Sequence, residues 1–506
     1  MNAPDLSANR PRPRMRRALA RGHACVILLG LGLLCAAWAQ AAPPTQQWFT
    51  VLLDGRKTGT FETTRQEDAG KVVSTQTLDL VLERAGSRVA LHTSESTTES
   101  LAGAPLAFSS TSRLSGTESR IDGRVAGGRV AIVTRSGAQS RPQEMAWPAG
   151  ALLTEGLRLQ ALQAGLDAGT HYASLAFQPS GLQVSHITSR VGAAEQVDLP
   201  AGTRTLVPID QDIRLGGTTI HARAWVDAQL TVHKMTLPIL GTELTLLACD
   251  HACASAPNQP ADLLARTLVR APRPLRPSEL AGDLRYTIVL RDAAGAGPLP
   301  QTGEQAVQAN GQGWRVDVSR HARPGREPPP RAADSQPNDW LQSNAPELRE
   351  LARRAYGDAR DPTARMQRME TFVRGYIVDK SLDVGYASAL EVARHPEGDC
   401  TEHALLLAAL GRAAGIPTRV AYGLAWAPGF AGHQRVFVPH AWTQAWVGDR
   451  WRSYDAALDG FDAGHITLAV GDGDPWRFYA GIELLGRLTI SRIEVAGLPE
   501  PDSQSE

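Results

Sequence analysis

Gly398-Asp399-Cys400-Thr401-Glu402-His403 runs into Ala404-Leu405-Leu406-Leu407-Ala408-Ala409-Leu410 and breaks at Gly415-Ile416-Pro417. An unbroken apolar run closed by a glycine, with a proline just behind it, reads as a buried helix that begins near Cys400. Two more helices are expected upstream. Ala345–Tyr356 carries Leu348, Leu351 and Ala355 at helical spacing. Asp361-Pro362 supplies an N-cap and a first-turn proline for a helix through Met366, Met369, Phe372 and Ile377. Downstream, Arg419–Trp426, Val436–Val447 and Arg450–Tyr454 read as strands, a further helix is expected from Pro475, and Leu488–Val495 reads as a closing strand. Helices first and an antiparallel sheet afterwards define an α+β domain over residues 345–498.

The same stretch suggests chemistry. A cysteine at a helix mouth meets free backbone N–H groups and the positive end of the helix dipole, both of which favour a thiolate. Those N–H groups could also hold the oxyanion of a tetrahedral intermediate. A thiol nucleophile needs a base, and the base needs a group to orient it. His440 and Asp455 fit by register. Gly448-Asp449 is a two-residue turn with glycine at the first central position, as a type II′ turn requires. Closing the hairpin there pairs Val447 with Arg450, Trp446 with Trp451, and onward to Trp442 with Asp455. His440 and Asp455 then share a face as diagonal neighbours, at ~7–8 Å backbone separation. A slip of one residue would put them on opposite faces. Asp459 and Asp462 lie past the strand as loop acids. His403, three residues after Cys400, competes as the base, but its position points to a packing or hydrogen-bonding role beneath the site. Asp399, Cys400, His403 and His440 match no familiar zinc spacing, so no metal or cofactor is expected, and no acidic loop suggests calcium.

Working outward, residues 323–342 contain Arg323-Pro324-Gly325-Arg326-Glu327-Pro328-Pro329-Pro330-Arg331 and read as a Pro-rich linker. A small β segment at 265–322 precedes it, with Leu284–Leu290 and Trp314–Val318 as strands. Residues 45–255 read as an antiparallel β-rich domain, a sheet or partly open barrel, with short strands such as Trp48–Leu53 and Thr77–Leu82 and one helix near Leu152–Ala164. No catalytic cluster stands out there; it reads as a scaffold or a binding face. Cys249-Asp250-His251-Ala252-Cys253 could close a small disulfide loop or hold two free thiols, the bridge being favoured. That leaves Cys400 as the odd cysteine downstream of the leader.

The first 42 residues read as a secretory signal peptide: six arginines from Arg10 to Arg21, an apolar run Ala24–Ala39, and the exit Ala39-Gln40-Ala41. The alternative is an uncleaved anchor. The remainder is expected to be exported, periplasmic or secreted, with no membrane span and a disordered tail at 499–506. The chain has 506 residues, 52 basic and 52 acidic, with 42% hydrophobic. That balance argues against a nucleic-acid binder, which needs a basic surface, and against a mostly disordered chain.

Around Cys400, His440 and Asp455 the sequence resembles the transglutaminase-like superfamily, in particular its bacterial exported members. The matching segments are Glu391-Val392-Ala393-Arg394, Gly398–Ala404, Gly415–Val420, His440-Ala441-Trp442-Thr443-Gln444, Asp455-Ala456-Ala457-Leu458 and Gly464-His465-Ile466. The resemblance spans about Leu348 to Val495. It implies a papain-like core and a Cys–His–Asp triad, carried by Cys400, His440 and Asp455. Pro439 and Gln444 stand where the family usually has an aromatic residue and an acid. The implied activity is that of a thiol enzyme acting on amide bonds of an envelope protein or peptide, as peptidase or amidase rather than crosslinker. The alternatives are a protein-glutamine acyltransferase and a non-catalytic module that binds peptide or glycan. Substrate and oligomeric state are not legible.

Overall fold

The computed structural model describes residues 45–496 apart from 85–86, 115–116, 137–138, 216–217, 240–241, 260–265, 292–296, 324–326, 380–386 and 474–483. The expected leader, C-terminal tail and helix from Pro475 lie outside the described residues. Fifteen strands among them form the N-terminal region, from β1 (Thr45–Leu53) to β15 (Thr242–Cys249). The sheet follows the chain from β8 (Gln139–Ala146) back to β1, passes to β15, and descends to β9 (His171–Gln178). Alternation produces it: in β2 (Arg56–Asp68), Phe61, Thr63 and Arg65 point inward and are buried, while Glu62 and Thr64 do not.

The sheet rolls without closing. Phe49, Leu78 and Leu91 from one half pack with Ile187, Ile213 and Leu246 from the other. Near the two edges the chain is stitched by Leu152, whose N–H donates to the Leu175 carbonyl (2.8 Å) and whose carbonyl accepts from Phe177 N–H (2.9 Å). The region is therefore an antiparallel sheet curled toward a barrel. Helix α1 (Thr154–Ala164) carries Glu155 and Arg158 into its interior. There Arg65 Nε meets Glu155 Oε2 at 3.0 Å and Arg158 Nε meets the same oxygen at 2.9 Å. Glu99 accepts the first-turn N–H groups of Glu155 and Gly156 at 2.6 and 2.9 Å, so a buried carboxylate caps the helix. Cys249 and Cys253 form a disulfide around α2 (His251–Ala254).

After β16 (Val269–Arg270) and α3 (Pro277–Leu280), two sheets share one core. β17 (Asp283–Leu290), β18 (Gln305–Asn310), β19 (Gly313–Ser319) and the last strand, β24 (Leu488–Val495), form a four-stranded sheet in the order β18-β19-β17-β24. Segments about two hundred residues apart are thus one unit. The Pro-rich stretch expected as a linker is packed where it is described: Arg419 pairs with buried Glu327, Trp451 Nε1 donates to the Pro328 carbonyl (3.2 Å), and Leu341 is fully buried.

Helices α4 (Pro346–Tyr356), α5 (Pro362–Tyr376), α6 (Ala389–Arg394) and α7 (Cys400–Ala413) follow. Asp361 Oδ2 caps α5 through Ala364 N–H at 2.9 Å, as its sequence suggests. From Glu402 to Arg412 every residue of α7 is buried, which fits a helix apolar all round and packed centrally. Against it lie β20 (Thr418–Phe430) and β21 (His433–Trp446), with β22 (Trp451–Tyr454) beyond β21 and β23 (His465–Gly471) beyond β20. Thr443 Oγ1 donates to the Ala404 carbonyl at 2.8 Å, pinning helix to sheet. The β21–β22 register is the expected one: Trp446 opposite Trp451 and Thr443 opposite Tyr454. The turn differs. Gly448 and Asp449 both have φ of 58°, the two positive values of a type I′ turn, not the single one of type II′. Type I′ matches the right-handed twist of the strands equally well, and aspartate tolerates the left-handed region.

Candidate active site

Cys400 is the first residue of α7, and the sequence around it is built to start a helix there. Asp399 is the N-cap: its Oδ1 accepts Thr401 N–H at 2.8 Å, and Glu402 reaches back to Asp399 N–H at 3.0 Å. This capping box satisfies two otherwise orphaned donors. Glu402 also accepts Ala387 N–H at 3.0 Å. Burial, and next the neighbouring Asp399, push its carboxyl well above the ordinary range. Gly398 has φ of +150°, and a Cβ there would sit 2.4 Å from Glu402 Cβ, so only glycine lets the chain enter this way. The capping box also limits what the helix mouth can offer to an anion. It occupies first-turn amides that the helix-mouth position alone would offer to an oxyanion. Cys400 is half-buried and is the free cysteine among the described residues.

His440 and Asp455 meet. His440 Nε2 lies 2.7 Å from Asp455 Oδ2, with side chains 8% and 1% exposed. Cys400 lies close enough to act on the charge of the ring. Burial opposes its charge, but Asp455 and then Cys400 outweigh burial and raise the imidazole well above its usual pKa. Asp455 is held well below the usual carboxylate range: burial works against ionisation, and His440 and His465 more than offset it. Its second oxygen accepts Ala457 and Leu458 N–H at 2.9 and 3.1 Å. Imidazole and carboxylate are therefore hydrogen-bonded, and Cys400 bears electrostatically on the same ring.

The remaining candidates take other roles. His403 is buried, its Nδ1 2.6 Å from the Asp399 carbonyl, the geometry of a ring bonded to its own helix start. Asp459 pairs with Arg374 at the surface. Gln444 is fully buried and accepts from Arg419 Nε at 2.8 Å. Asp462 is engaged with His465.

Three functional neighbours are not apparent from the sequence. His465 Nε2 lies 3.0 Å from Asp455 Oδ2, and its Nδ1 lies 2.9 Å from Asp462 Oδ1. Glu370, on α5, accepts Asp455 N–H at 2.7 Å, and Glu304 accepts Ser453 N–H at 2.7 Å. Burial pushes both acids up to about 7. Together they clamp the free edge of β22. The glycine, histidine and isoleucine at 464–466 are visible as a motif, but nothing local in sequence says which acid a histidine will face. His440, Asp455 and His465 place their donor atoms within 4.8 Å of one another, a set that could surround a cation. The hydrogen bonds of Asp455 Oδ2 to both rings account for all three.

Comparison with known proteins supplies a family model for one segment. The transglutaminase-like superfamily model matches residues 349–456, which hold Cys400, His440 and Asp455. These residues form a transglutaminase-like domain. No match was found among curated proteins. Solved structures similar to parts of the chain include a β-barrel-like protein of a domain of unknown function, DUF1849, from Brucella abortus. It is 13% identical, with 42% of this chain and 98% of that one covered and a TM-score of 0.34. A candidate cysteine protease from Cytophaga hutchinsonii is 16% identical, covering 42% and 84%, TM-score 0.27. A candidate protease from Parabacteroides distasonis is 9% identical, covering 71% and 69%, TM-score 0.19. At these TM-scores the likenesses carry no argument. No helix among the described residues is long and apolar enough to cross a membrane.

Proposed function

We propose that the transglutaminase-like domain is an exported thiol enzyme that hydrolyses amide bonds in envelope proteins or peptides through Cys400, His440 and Asp455. The buried His440–Asp455 hydrogen bond, with Cys400 bearing on the same ring, carries this reading. His440 takes the thiol proton as sulfur adds to the amide carbonyl carbon. The Cys400 N–H is the first-turn donor proposed for the resulting oxyanion, since the neighbouring amides serve the capping box. Collapse breaks the C–N bond, the imidazolium gives its proton to the departing amine, and an acyl-enzyme remains. Water, deprotonated by His440, releases the acid. Asp455 holds the ring and supports its charge without taking the proton. Export rests on the N-terminal leader.

The experiment is alkylation by iodoacetamide at pH 6 with the adduct mapped by mass spectrometry. Cys400 should label much faster than free cysteine, and His440→Ala should abolish the excess. A rate no greater than free cysteine's would favour a binding module. Incubation with casein and a fluorescent amine tests the direction, because incorporation of the amine would establish transfer in place of hydrolysis.

A further inference from the structure

Asp455 is shared between two histidines, and only one of them faces the sulfur. The second, His465, is held between two acids: Nε2 is 3.0 Å from Asp455 Oδ2 and Nδ1 is 2.9 Å from Asp462 Oδ1. A carboxylate oxygen only accepts, so each of these contacts needs an N–H on the ring, and a neutral imidazole has just one. Asp462 Oδ1 also accepts Gly464 N–H at 2.8 Å, so this oxygen is an acceptor. Nδ1 also lies 3.2 Å from the Asp462 carbonyl oxygen; Asp462 N–H, at 3.3 Å, would donate to an unprotonated Nδ1, but two of the three neighbours of this nitrogen, and the nearer two, are acceptors that call for an N–H. The ring is 3% exposed and boxed by Trp442 and Phe461, with centroids at 5.3 and 4.8 Å, so water cannot substitute for either acid.

We propose that His465 is a positioning residue kept as an imidazolium, which fixes the Asp455 carboxylate on His440 and, as a second cation on that carboxylate, restrains how strongly His440 holds its proton. The proposal rests on the thiol-enzyme reading for its purpose but not for its geometry. His465 thus sits between two carboxyl groups, the buried one of Asp455 and the part-exposed one of Asp462, with His440 on the far side of Asp455. The His440 and His465 rings are 5.8 Å apart, close enough for like charges to count in a buried site. An Asp455 serving His440 alone would hold the imidazolium more strongly. Sharing the carboxylate weakens that hold. Other charged or titratable groups bear on the cluster. Glu370 and Arg374 lie behind Asp455, on its N–H and carbonyl respectively. Tyr286, Arg273 and Glu279 lie on the side of Asp462. Removing the His465 charge leaves them all in place.

The test compares His465→Gln, whose amide can still donate to Asp455 but carries no charge, with His465→Leu, which can do neither. Histidine ring NMR over pH 5–11 reads His440 directly, and iodoacetamide alkylation across the same range reads the sulfur. In His465→Gln the His440 midpoint should rise by about one pH unit, while rapid labelling of Cys400 persists. In His465→Leu labelling should fall at least tenfold as Asp455 loses its second anchor. An unmoved His440 midpoint in His465→Gln overturns the proposal. Should that variant fail to fold, ring nitrogen shifts of the unaltered protein decide: both His465 nitrogens protonated from pH 5 to 8 supports the proposal, and a neutral tautomer at pH 7 refutes it. Wild-type labelling no faster than free cysteine would sink the enzyme reading while leaving the NMR coupling intact, so the two failures are distinguishable.

Discussion

Asp455→Asn separates orientation from charge. In the structure Asp455 accepts four hydrogen bonds, from His440, His465, Ala457 N–H and Leu458 N–H. An asparagine has one acceptor oxygen. If that oxygen keeps the two backbone amides, its NH2 group must face both imidazoles. His440 then turns its Nε2 lone pair toward the amide and carries its proton on the nitrogen facing the sulfur, so it can no longer take the thiol proton. Loss of this kind in a Ser–His–Asp enzyme costs ~10⁴ in turnover, and a similar loss is expected here. Stability suffers separately. Two charge-assisted hydrogen bonds at ~1.5–3 kcal/mol each are lost, and a buried cation is left beside a donor, so roughly 3–5 kcal/mol is expected. For a domain of this size that is a fall in Tm of about 10 °C. Differential scanning calorimetry and Cys400 alkylation at pH 6 measure the two effects. Wild-type alkylation in a variant that melts about 10 °C lower would refute the catalytic role of Asp455. An unchanged Tm would refute the hydrogen-bond count.

Cys400→Ala should abolish hydrolysis of casein and leave Tm within about 1 °C, since a half-buried thiol at a helix start contributes little packing. Glu155→Gln leaves Arg65 and Arg158 buried and under-compensated, and should cost about 3–5 kcal/mol by chemical denaturation, read in the N-terminal region alone. Gly398→Ala should lower Tm and slow alkylation together, because relieving the clash with Glu402 dismantles the capping box that places Cys400. Burial pushes Glu95 up to about 8 and Glu99, Glu304 and Glu370 up to about 7. Each binds its proton more tightly folded than unfolded, so the stability it adds is full below the unfolded pKa of about 4.3 and is lost as pH rises through 7–8. Tm should therefore fall between about pH 4.5 and 8 and level off above, and Glu95→Gln should flatten that fall by a few kcal/mol; a Tm that rises with pH in this window would contradict the burial of these acids.

Local physics made much of the transglutaminase-like domain legible. The apolar run after Cys400, the Asp361-Pro362 start and the Gly448-Asp449 turn each encode structure within a few residues. A two-residue loop fixes register for the whole hairpin, and that is why Asp455 could be matched to His440 from fifteen positions away. The same locality explains what stayed hidden. β23 and its His465 join the site through pairing with β20, which is set by packing rather than by a turn. The clamps Glu370 and Glu304 come from a helix and a loop 85 and 149 residues upstream of the backbone they hold. The union of β24 with β17 and the packing of the Pro-rich stretch depend on apolar surfaces that only the assembled core brings together. The sequence by itself determined the helices, the hairpin and the facing of His440 and Asp455, since hydrogen bonds and side-chain period act over short spans. The tertiary structure alone decided who shares the Asp455 carboxylate, because a buried charge is answered by whatever group folding places beside it, however distant along the chain.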